Sequence, residues 1–330
     1  MLDLRRRQFI TLLGGPVASW PLAAWAQQPA KPKVGFLYPA SPDAIADRLR
    51  GFRQGLKDIG YVEGENVAIE YHGADGQFDR LPALAAELVR QQVAVIAAGN
   101  LASALAAKAT TTTIPIVFAV GEDPVRFGLV ANLARPGSNL TGINFLNVDV
   151  TTKRLDLLRE LVPGATRVAV LINPANGPVA ELALRHVAEA ARALGLQIQV
   201  LNASTNREID AAFAALAGAR PDGFFVSGDA LFTARRVQLT TAAARHAVPA
   251  AYSQRAFTEV GGLMSYGGNV PGAYRQVGIY VGRILKGAKP TDLPVVQASK
   301  FELVINAQTA RTLGIAVPPS LLALADEVIE

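Results

Sequence analysis

The sequence alternates short apolar runs with helical patterns, and this alternation most restricts the folds that the chain can adopt. Residues 34–38 form a nearly continuous apolar run, which is typical of a strand covered on both faces. Residues 43–59 then carry apolar side chains at helical spacing, and Gly60 follows where a helix would end. Strand and helix patterns continue in turn to residue 145. The pattern predicts a parallel sheet with helices on both faces.

The alternation begins again after the segment 139–145, which reads Asn-Leu-Thr-Gly-Ile-Asn-Phe. A second apolar run at 167–172 again precedes a proline, and a helical pattern at 180–194 again ends at a glycine. We therefore predict an α/β fold of two doubly wound Rossmann-like lobes with a ligand cleft between them. Strand-like runs beyond residue 248 are left over, so the chain is expected to cross between the lobes more than once.

The first 26 residues have the features of an export signal. An arginine-rich start at 5–7 precedes an apolar run, which ends in the small-x-small pattern Ala-Trp-Ala at 24–26. We predict cleavage after Ala26 and a periplasmic mature protein. The pair Arg6-Arg7 followed by Gln-Phe-Ile resembles a twin-arginine signal, although Arg5 stands where that signal has Ser or Thr. An ordinary Sec signal is the alternative.

Composition excludes several classes of function. The 330-residue chain is 50% hydrophobic and 18% charged, which is enough to fill two cores. The formal charge of +5 falls to about +3 without the leader, too weak a bias to indicate nucleic-acid binding. Because the chain has no cysteine, disulfides, thiolate metal sites and a cysteine nucleophile are excluded. We expect a monomer.

The candidate ligand site follows from the predicted topology. An open parallel sheet binds ligands beyond the carboxyl ends of its strands, so the residues after each strand are the candidates. They combine aromatic rings, amides, hydroxyls and a few acids, which suits a polar small molecule with an apolar body. The predicted ligand-binding residues are Tyr38, Ser41, Asn100, Ser103, Asp123, Asn144, Phe145, Asn173, Asp229, Tyr252 and Tyr266. Glu122, Asn176, Ser227 and Ser265 occupy similar positions.

Each candidate also has a purely structural interpretation. Asn100, Asn173 and Asp229 precede predicted helices, where such residues commonly cap the helix, and Asp123 before a proline is a common turn residue. The tyrosines could cover the edges of the core. The collective position of the candidates is therefore a stronger signal than any one of them.

Motifs of common enzymes are missing from the sequence. The first strand is followed by Pro39 rather than a Gly-x-Gly-x-x-Gly loop, and neither a Walker loop nor a Gly-x-Ser-x-Gly elbow occurs. The three histidines, His72, His186 and His246, are isolated, and no two of them have the spacing of metal ligands. We therefore expect a binding protein without cofactor or metal rather than an enzyme.

Several motifs together resemble the ABC transporter substrate-binding proteins related to tryptophan and tyrosine transport components. The resemblance covers nearly all of residues 27–330. The motifs are Phe-Arg-Gln-Gly-Leu at 52–56, Gly-Tyr-Val-Glu-Gly at 60–64, Pro-Gly-Ser-Asn-Leu-Thr-Gly at 136–142 and Phe-Glu-Leu-Val-Ile-Asn at 301–306.

This resemblance implies a periplasmic binding protein of the type I fold, with three crossovers between the lobes. It places residues 33–145 and 257–293 in the first lobe, and residues 146–256 and 294–330 in the second. It also implies a small-molecule solute, possible ligands being an amino acid or an aromatic or carboxylate compound, and a membrane ABC permease as partner. In the aromatic amino acid branch an acid closely follows the Thr-Gly pair, whereas this chain has Asn144 and Phe145 there, with Asp149 later.

Three other functions remain open at the level of sequence. The same fold could report its ligand to a membrane receptor as a sensory subunit. An exported hydrolase using Asp123 or Asp229 is less favoured, because no catalytic motif accompanies either residue. A DNA-binding repressor is least favoured, because the leader occupies the position of its DNA-binding helices.

Overall fold

The computed structural model describes residues 31–147, 150–298 and 300–330, and within these ranges the chain forms two sheets covered by helices. The predicted export signal, including the cleavage site after Ala26, lies outside the described residues. Within the described ranges, no helix combines the length and the apolar character needed to cross a bilayer.

The strands are short and mostly buried. In chain order they are β1 (Lys33–Tyr38), β2 (Ala68–Gly73), β3 (Val95–Ala98), β4 (Ile116–Val120), β5 (Leu140–Asn144), β6 (Arg167–Ile172), β7 (Gln197–Asn202), β8 (Gly223–Val226), β9 (Ala250–Tyr252), β10 (Met264–Gly268), β11 (Val296–Gln297), β12 (Phe301–Asn306) and β13 (Glu327–Ile329).

The helices alternate with these strands, as the sequence predicts. They are α1 (Ala46–Asp58), α2 (Leu81–Arg90), α3 (Leu101–Thr110), α4 (Thr151–Leu161), α5 (Pro178–Leu194), α6 (Asn206–Ala219), α7 (Ala230–Ala234), α8 (Arg236–Arg245), α9 (Arg255–Thr258), α10 (Val270–Leu285), α11 (Ala307–Thr312) and α12 (Pro319–Leu324). The sequence predicts one helix over residues 232–246. This prediction is wrong, because Arg235, with φ −104° and ψ 21°, separates α7 from α8.

The two sheets have the order of doubly wound folds. The first runs β11-β5-β4-β3-β1-β2, and all its described pairings are parallel. The second runs β13-β12-β10-β9-β8-β6-β7 and is parallel except between β10 and β12. We call these two sheets with their helices the first lobe and the second lobe. The predicted architecture of two Rossmann-like lobes is confirmed.

The chain passes between the lobes three times. It leaves the first sheet after β5, returns to the first lobe at α10 after β10, and leaves again between β11 and β12. The three predicted crossovers are therefore present. The described residues of the crossing segments are 145–147 and 150 in the first, 269 in the second, and 298 and 300 in the third.

Two predicted lobe boundaries differ from the strand pairing. Residues 257–293 are predicted to lie in the first lobe, yet β10 pairs with β9 and β12 of the second sheet. Residues 294–330 are predicted to lie in the second lobe, yet β11 pairs with β5 of the first sheet. Apolar runs as short as these do not reveal which sheet they join, because pairing depends on contacts distant in sequence.

Each sheet separates two apolar layers. In the first lobe, side chains of α1 and α10 form one layer, and those of α2 and α3 form the other. In the second lobe, α4 and α5 cover one face, and α6, α8 and α9 cover the other. Because both faces are covered, the central strands β4 and β6 consist of nearly continuous apolar runs, whereas the edge strands β2 and β7 contain polar residues and are partly exposed.

Close packing of α1 against α10 fixes the returning segment to the first lobe. A Cβ atom on Gly55 would lie 1.9 Å from the carbonyl oxygen of Arg275, and one on Gly278 would lie 2.2 Å from that of Phe52. Both separations are far shorter than any real carbon contact. The two helices can therefore approach this closely only because glycine stands at both positions.

We predict that Gly278→Ala destabilises the protein by ~1–3 kcal/mol, since the new methyl group would have to displace helix backbone. Urea unfolding followed by circular dichroism measures the loss. The matched control is Gly218→Ala in α6, where an added Cβ meets nothing within 4 Å and the residue is exposed. That variant should be neutral or more stable by ~0.5–1 kcal/mol. Equal effects of the two substitutions would contradict the packing argument.

Candidate functional site

A cavity lies between the two lobes, at the carboxyl ends of strands from both sheets. Its volume is ≈ 50 Å³. The residues that line it are Tyr38, Arg48, Gly99, Asn100, Leu101, Gly121, Glu122, Phe145, Asn147, Asn176, Val179, Gly228, Asp229, Ala230, Thr233 and Gln254. Because both lobes and the first crossing segment contribute, any molecule held there contacts all three.

The topology explains why these residues meet. Tyr38 ends β1, Gly99 and Asn100 follow β3, and Gly121 follows β4. The second lobe contributes Gly228 in the same way, two residues beyond the end of β8. Parallel strands place their carboxyl ends at one edge of a sheet, and here those edges of the two sheets face the same cavity.

The cation at this site is Arg48, on the first turn of α1. Its side chain is almost completely buried, with 3% exposure. Nη1 donates a hydrogen bond to the hydroxyl oxygen of Tyr38, and Nη2 donates one to Oε1 of Gln254 at 2.7 Å. The second bond joins the first lobe to the second, so it can form only while the lobes are close together.

Two tyrosine rings hold the Arg48 guanidinium in place. Its central carbon lies 5.4 Å from the centre of the Tyr38 ring and 5.8 Å from that of Tyr274. The hydroxyl of Tyr274 in turn donates to the carbonyl oxygen of Gly99. Burial lowers the pKa of Arg48, whereas the Tyr274 hydroxyl acts in the opposite direction.

Asp229 is the buried acid of the second lobe. Its Oδ1 accepts hydrogen bonds from the side-chain amide of Asn173 at 2.9 Å and from the backbone N–H of Leu231 at 2.8 Å. Its Oδ2 accepts from the amide of Asn176 at 2.8 Å. Burial raises the pKa of Asp229, although these hydrogen bonds act in the opposite direction. All these partners are neutral, so the carboxylate has no cationic partner among the described residues.

The first crossing segment is anchored by a second buried arginine, Arg154. Its Nε donates to the carbonyl oxygen of Tyr266 at 2.8 Å, and its Nη2 donates to Oδ1 of Asn147 at 2.9 Å. Burial lowers its pKa to about 9. Asn147 lines the cavity while Tyr266 lies in β10, so this side chain ties the cavity wall to the strand that precedes the second crossing.

Comparison with known proteins decides the family. The profile described as "ABC transporter substrate binding protein" matches residues 33–329. The chain belongs to this family. As expected for it, the chain has two α/β lobes of the type I periplasmic binding fold with a cavity between them.

Three relatives illustrate the similarity. The tyrosine-binding protein of Clostridioides difficile is 27% identical over 269 residues, which is 80% of this chain and 75% of that protein. A conserved domain protein from Vibrio cholerae is 29% identical, with a TM-score of 0.82 over 90% of this chain and 99% of that chain. A Streptococcus pneumoniae ABC domain in complex with L-Trp is 25% identical, with a TM-score of 0.81 over 91% of this chain and 100% of that chain.

Four of the predicted site residues line the cavity of this family member. They are Tyr38, Asn100, Phe145 and Asp229. Asn100 and Asp229 also cap α3 and α7, so in these two residues the structural and the site positions coincide. That they bind a ligand stays a prediction.

The other seven predicted residues do not line this cavity. Ser41 lies in a separate depression, and Asp123 is exposed, where it accepts from the backbone N–H groups of Val125 and Arg126. Ser103, Asn144, Asn173 and Tyr252 are buried: Asn144 accepts from the N–H of Leu146, Asn173 supports Asp229, and Tyr252 stacks on Phe257 at 4.7 Å. Tyr266 packs near Phe301. Asp149 lies outside the described residues.

Four polar residues of the cavity are absent from the sequence-based prediction: Arg48, Asn147, Thr233 and Gln254. The sequence does contain an indication for Arg48. It stands three residues after Ile45 and four before Phe52, which places a charge on the apolar face of the predicted helix. A charge on such a face calls for an explanation. Asn147 and Gln254 lie in connecting segments and left no such signal.

We predict that two carboxylates of the second lobe, one buried and one partly exposed, affect stability with opposite dependence on pH. Since burial raises the pKa of Asp229, the folded state binds a proton there more tightly than the unfolded chain does. Wild-type protein should therefore gain stability relative to Asp229→Asn as the pH falls through that raised pKa, and the gain should be complete below the ordinary value of 3.8. Thermal unfolding of both proteins between about pH 7 and about pH 2.5 measures the difference.

The control for this experiment is Asp222→Asn. Hydrogen bonds from the backbone N–H groups of Thr166 and Arg167 lower the pKa of Asp222. Wild-type protein should therefore lose stability relative to this variant as the pH falls below 3.8. Slopes of the same sign for the two substitutions would contradict the assignment.

Proposed function

We propose that this substrate-binding protein captures a small solute in the cavity between its lobes, closes around it, and presents the closed form to a membrane permease of an ABC importer. The observation that carries the proposal is that both lobes and a crossing segment line one cavity. A solute that contacts both lobes favours the closed state over the open one, and a permease can recognise that difference.

The hydrogen bond between Arg48 and Gln254 supports closure as the mechanism. It joins side chains that are 206 positions apart in sequence and belong to different lobes. At ≈ 50 Å³, the cavity is far below the ~300 Å³ at the lower end of small-molecule sites. A solute of that size can therefore enter only after the lobes separate, which breaks this bond.

The lining of the cavity favours a solute that has both polar groups and an apolar part. Phe145, Leu101 and Val179 provide apolar surface, while Arg48 and Asp229 provide buried charges of opposite sign. The names of two relatives, a tyrosine-binding protein and a complex with L-Trp, make aromatic amino acids the first solutes to test. Binding without catalysis is the function proposed, with the protein acting as a monomer.

We predict that replacing the ring of Phe145 weakens solute binding. This ring is directly beside Gly121 in the cavity wall, where a Cβ on the glycine would lie 2.9 Å from its Cε2. Phe145→Ala should weaken binding ~10-fold, which corresponds to ~1.4 kcal/mol. Isothermal titration with the amino acid that gives wild-type protein its largest melting shift measures the change.

The control for Phe145 is Phe301→Ala. Phe301 is a partly buried ring of the second lobe that contacts Tyr266 and does not line the cavity. Its loss should lower the melting temperature without changing the affinity. The proposal fails if native mass spectrometry and melting shifts detect no binding across amino acids, aromatic acids and sugars.

We also propose that the protein acts outside the cytoplasm after removal of residues 1–26 by way of the twin-arginine route. N-terminal sequencing of the exported protein should begin at Gln27. Replacing Arg6 and Arg7 together by lysine should abolish export, because the twin-arginine route reads the arginine pair rather than its charge. Unchanged export of the double variant would indicate the Sec route instead.

A further inference from the structure

We infer that Arg48 is the anion-binding residue of the cavity and that the solute carries a carboxylate group that pairs with it. The inference rests on the proposed function and adds the chemical class of the solute. It starts from an unusual combination at one side chain, since Arg48 is buried, lines the cavity, and has no carboxylate partner among the described residues.

The hydrogen bonds of Arg48 leave part of its guanidinium unused. Nη1 and Nη2 donate to neutral oxygens, those of Tyr38 and Gln254. Nε is buried and has no hydrogen-bond acceptor in the part of the chain that the structure describes. An unsatisfied buried donor on a charged group is unfavourable, and the structure keeps it beside a cavity.

Other arginines of the chain have the carboxylate partner that Arg48 lacks among the described residues. Arg53, on the same helix, pairs with Glu63 at 2.6 Å, and Arg275 pairs with Asp58 at 2.6 Å. Arg255 lies within 3.5 Å of three carboxylates. These three arginines are partly exposed, and an ion pair in such a position contributes little to the free energy of unfolding. Arg48 is far more buried and has more to gain from a negative partner.

Arg154 is the closest comparison within the molecule. It too is buried without a carboxylate partner in the described ranges, but its Nε and Nη2 both donate to oxygens of Asn147 and Tyr266. It is absent from the cavity wall. The hydrogen bonds of Arg154 therefore account for it as a structural anchor. The hydrogen bonds of Arg48 do not account for that residue in the same way, because its Nε has no acceptor and it lines the cavity.

Carboxylate fits Arg48 better than a more highly charged anion does. A guanidinium presents a planar fork of donors that matches the two oxygens of a carboxylate, and the Tyr38 and Tyr274 rings hold this plane in place. Glu122 and Asp229 also line the cavity, and their negative charges disfavour a phosphate dianion. One negative charge at the Arg48 side is therefore what the cavity accommodates.

The test compares acids with their neutral amides, so that size and shape stay the same. The probes are L-tyrosine, L-tryptophan and 3,4-dihydroxybenzoate with their primary amides, the remaining amino acids, and uncharged sugars and polyols. Binding is measured by titration calorimetry and by the melting shift of the mature chain. We expect at least one carboxylate to bind and its amide to bind about 10- to 100-fold more weakly, as for the loss of a hydrogen-bonded charge.

Three variants then connect this preference to Arg48. Arg48→Met should remove the preference for acid over amide without lowering the melting temperature of the ligand-free protein, because a buried cation without a counter-ion contributes no net stability. Arg48→Lys should keep part of the preference through its charge. Gln254→Glu places a carboxylate beside Nη2, so it should weaken acid binding while the ligand-free protein stays at least as stable. The matched control is Arg53→Gln, which removes the same charge from an exposed position of α1 and should leave binding unchanged.

The outcomes separate this inference from the proposed function. Binding of a sugar or polyol in place of acids, or equal binding of an acid and its amide, overturns the assignment of Arg48 and leaves the solute receptor intact. Retention of the acid preference in Arg48→Met also overturns it, as does a large fall in the melting temperature of that ligand-free variant. If no probe binds, the proposed function fails and this inference fails with it.

Discussion

The parallel direction of the strands is the constraint on which the rest of this molecule depends. Parallel strands must all end at one edge of their sheet, so each βα connection delivers its first residues to that edge. In this chain two such edges face one cavity, which collects Tyr38 from β1, Gly99 and Asn100 beyond β3, and Gly228 and Asp229 beyond β8. Residues almost 200 positions apart therefore meet without any local sequence feature that requires it.

The three crossings connect the two lobes, so that they are not independent domains. Arg154 joins Asn147 of the first crossing to Tyr266 in the strand before the second, and the close pairing of α1 with α10 fixes the returning chain to the first lobe. For a relative movement of the lobes we therefore expect a rotation about these segments. The Arg48 to Gln254 bond lies on the moving side of that rotation, since its partners belong to different lobes.

The fold can be predicted from the sequence because the patterns that indicate it are local. Buried strands, helical spacing and terminating glycines each lie within about 15 residues, and the remaining strands showed that the chain must cross back. Lobe membership of the late strands was not readable, because β10 and β11 are short and their sheets are chosen by partners distant in sequence.

The candidate site was only partly predictable, for a related reason. Position after a strand selects Tyr38, Asn100, Phe145 and Asp229, which line the cavity. The same rule also selects Asp123, whose side chain accepts hydrogen bonds within its own loop. The rule identifies which edge a residue reaches but not the direction of its side chain. The other contributors come from a helix face and from connecting segments, where strand ends carry no information.

The charges of the cavity show how binding and stability oppose each other here. Arg48 and Asp229 have opposite charges and line the same cavity, but each is hydrogen-bonded to neutral groups instead of to the other. Burial lowers the pKa of Arg48 and raises that of Asp229, which means that in each case the folded protein disfavours the charged form. Had the two residues paired, each would have compensated the charge of the other and the cavity would offer no unpaired charge to a solute. Because they remain apart, a solute that supplies a charged group to either one recovers part of that cost, and it recovers it only in the closed state, where both lobes surround it.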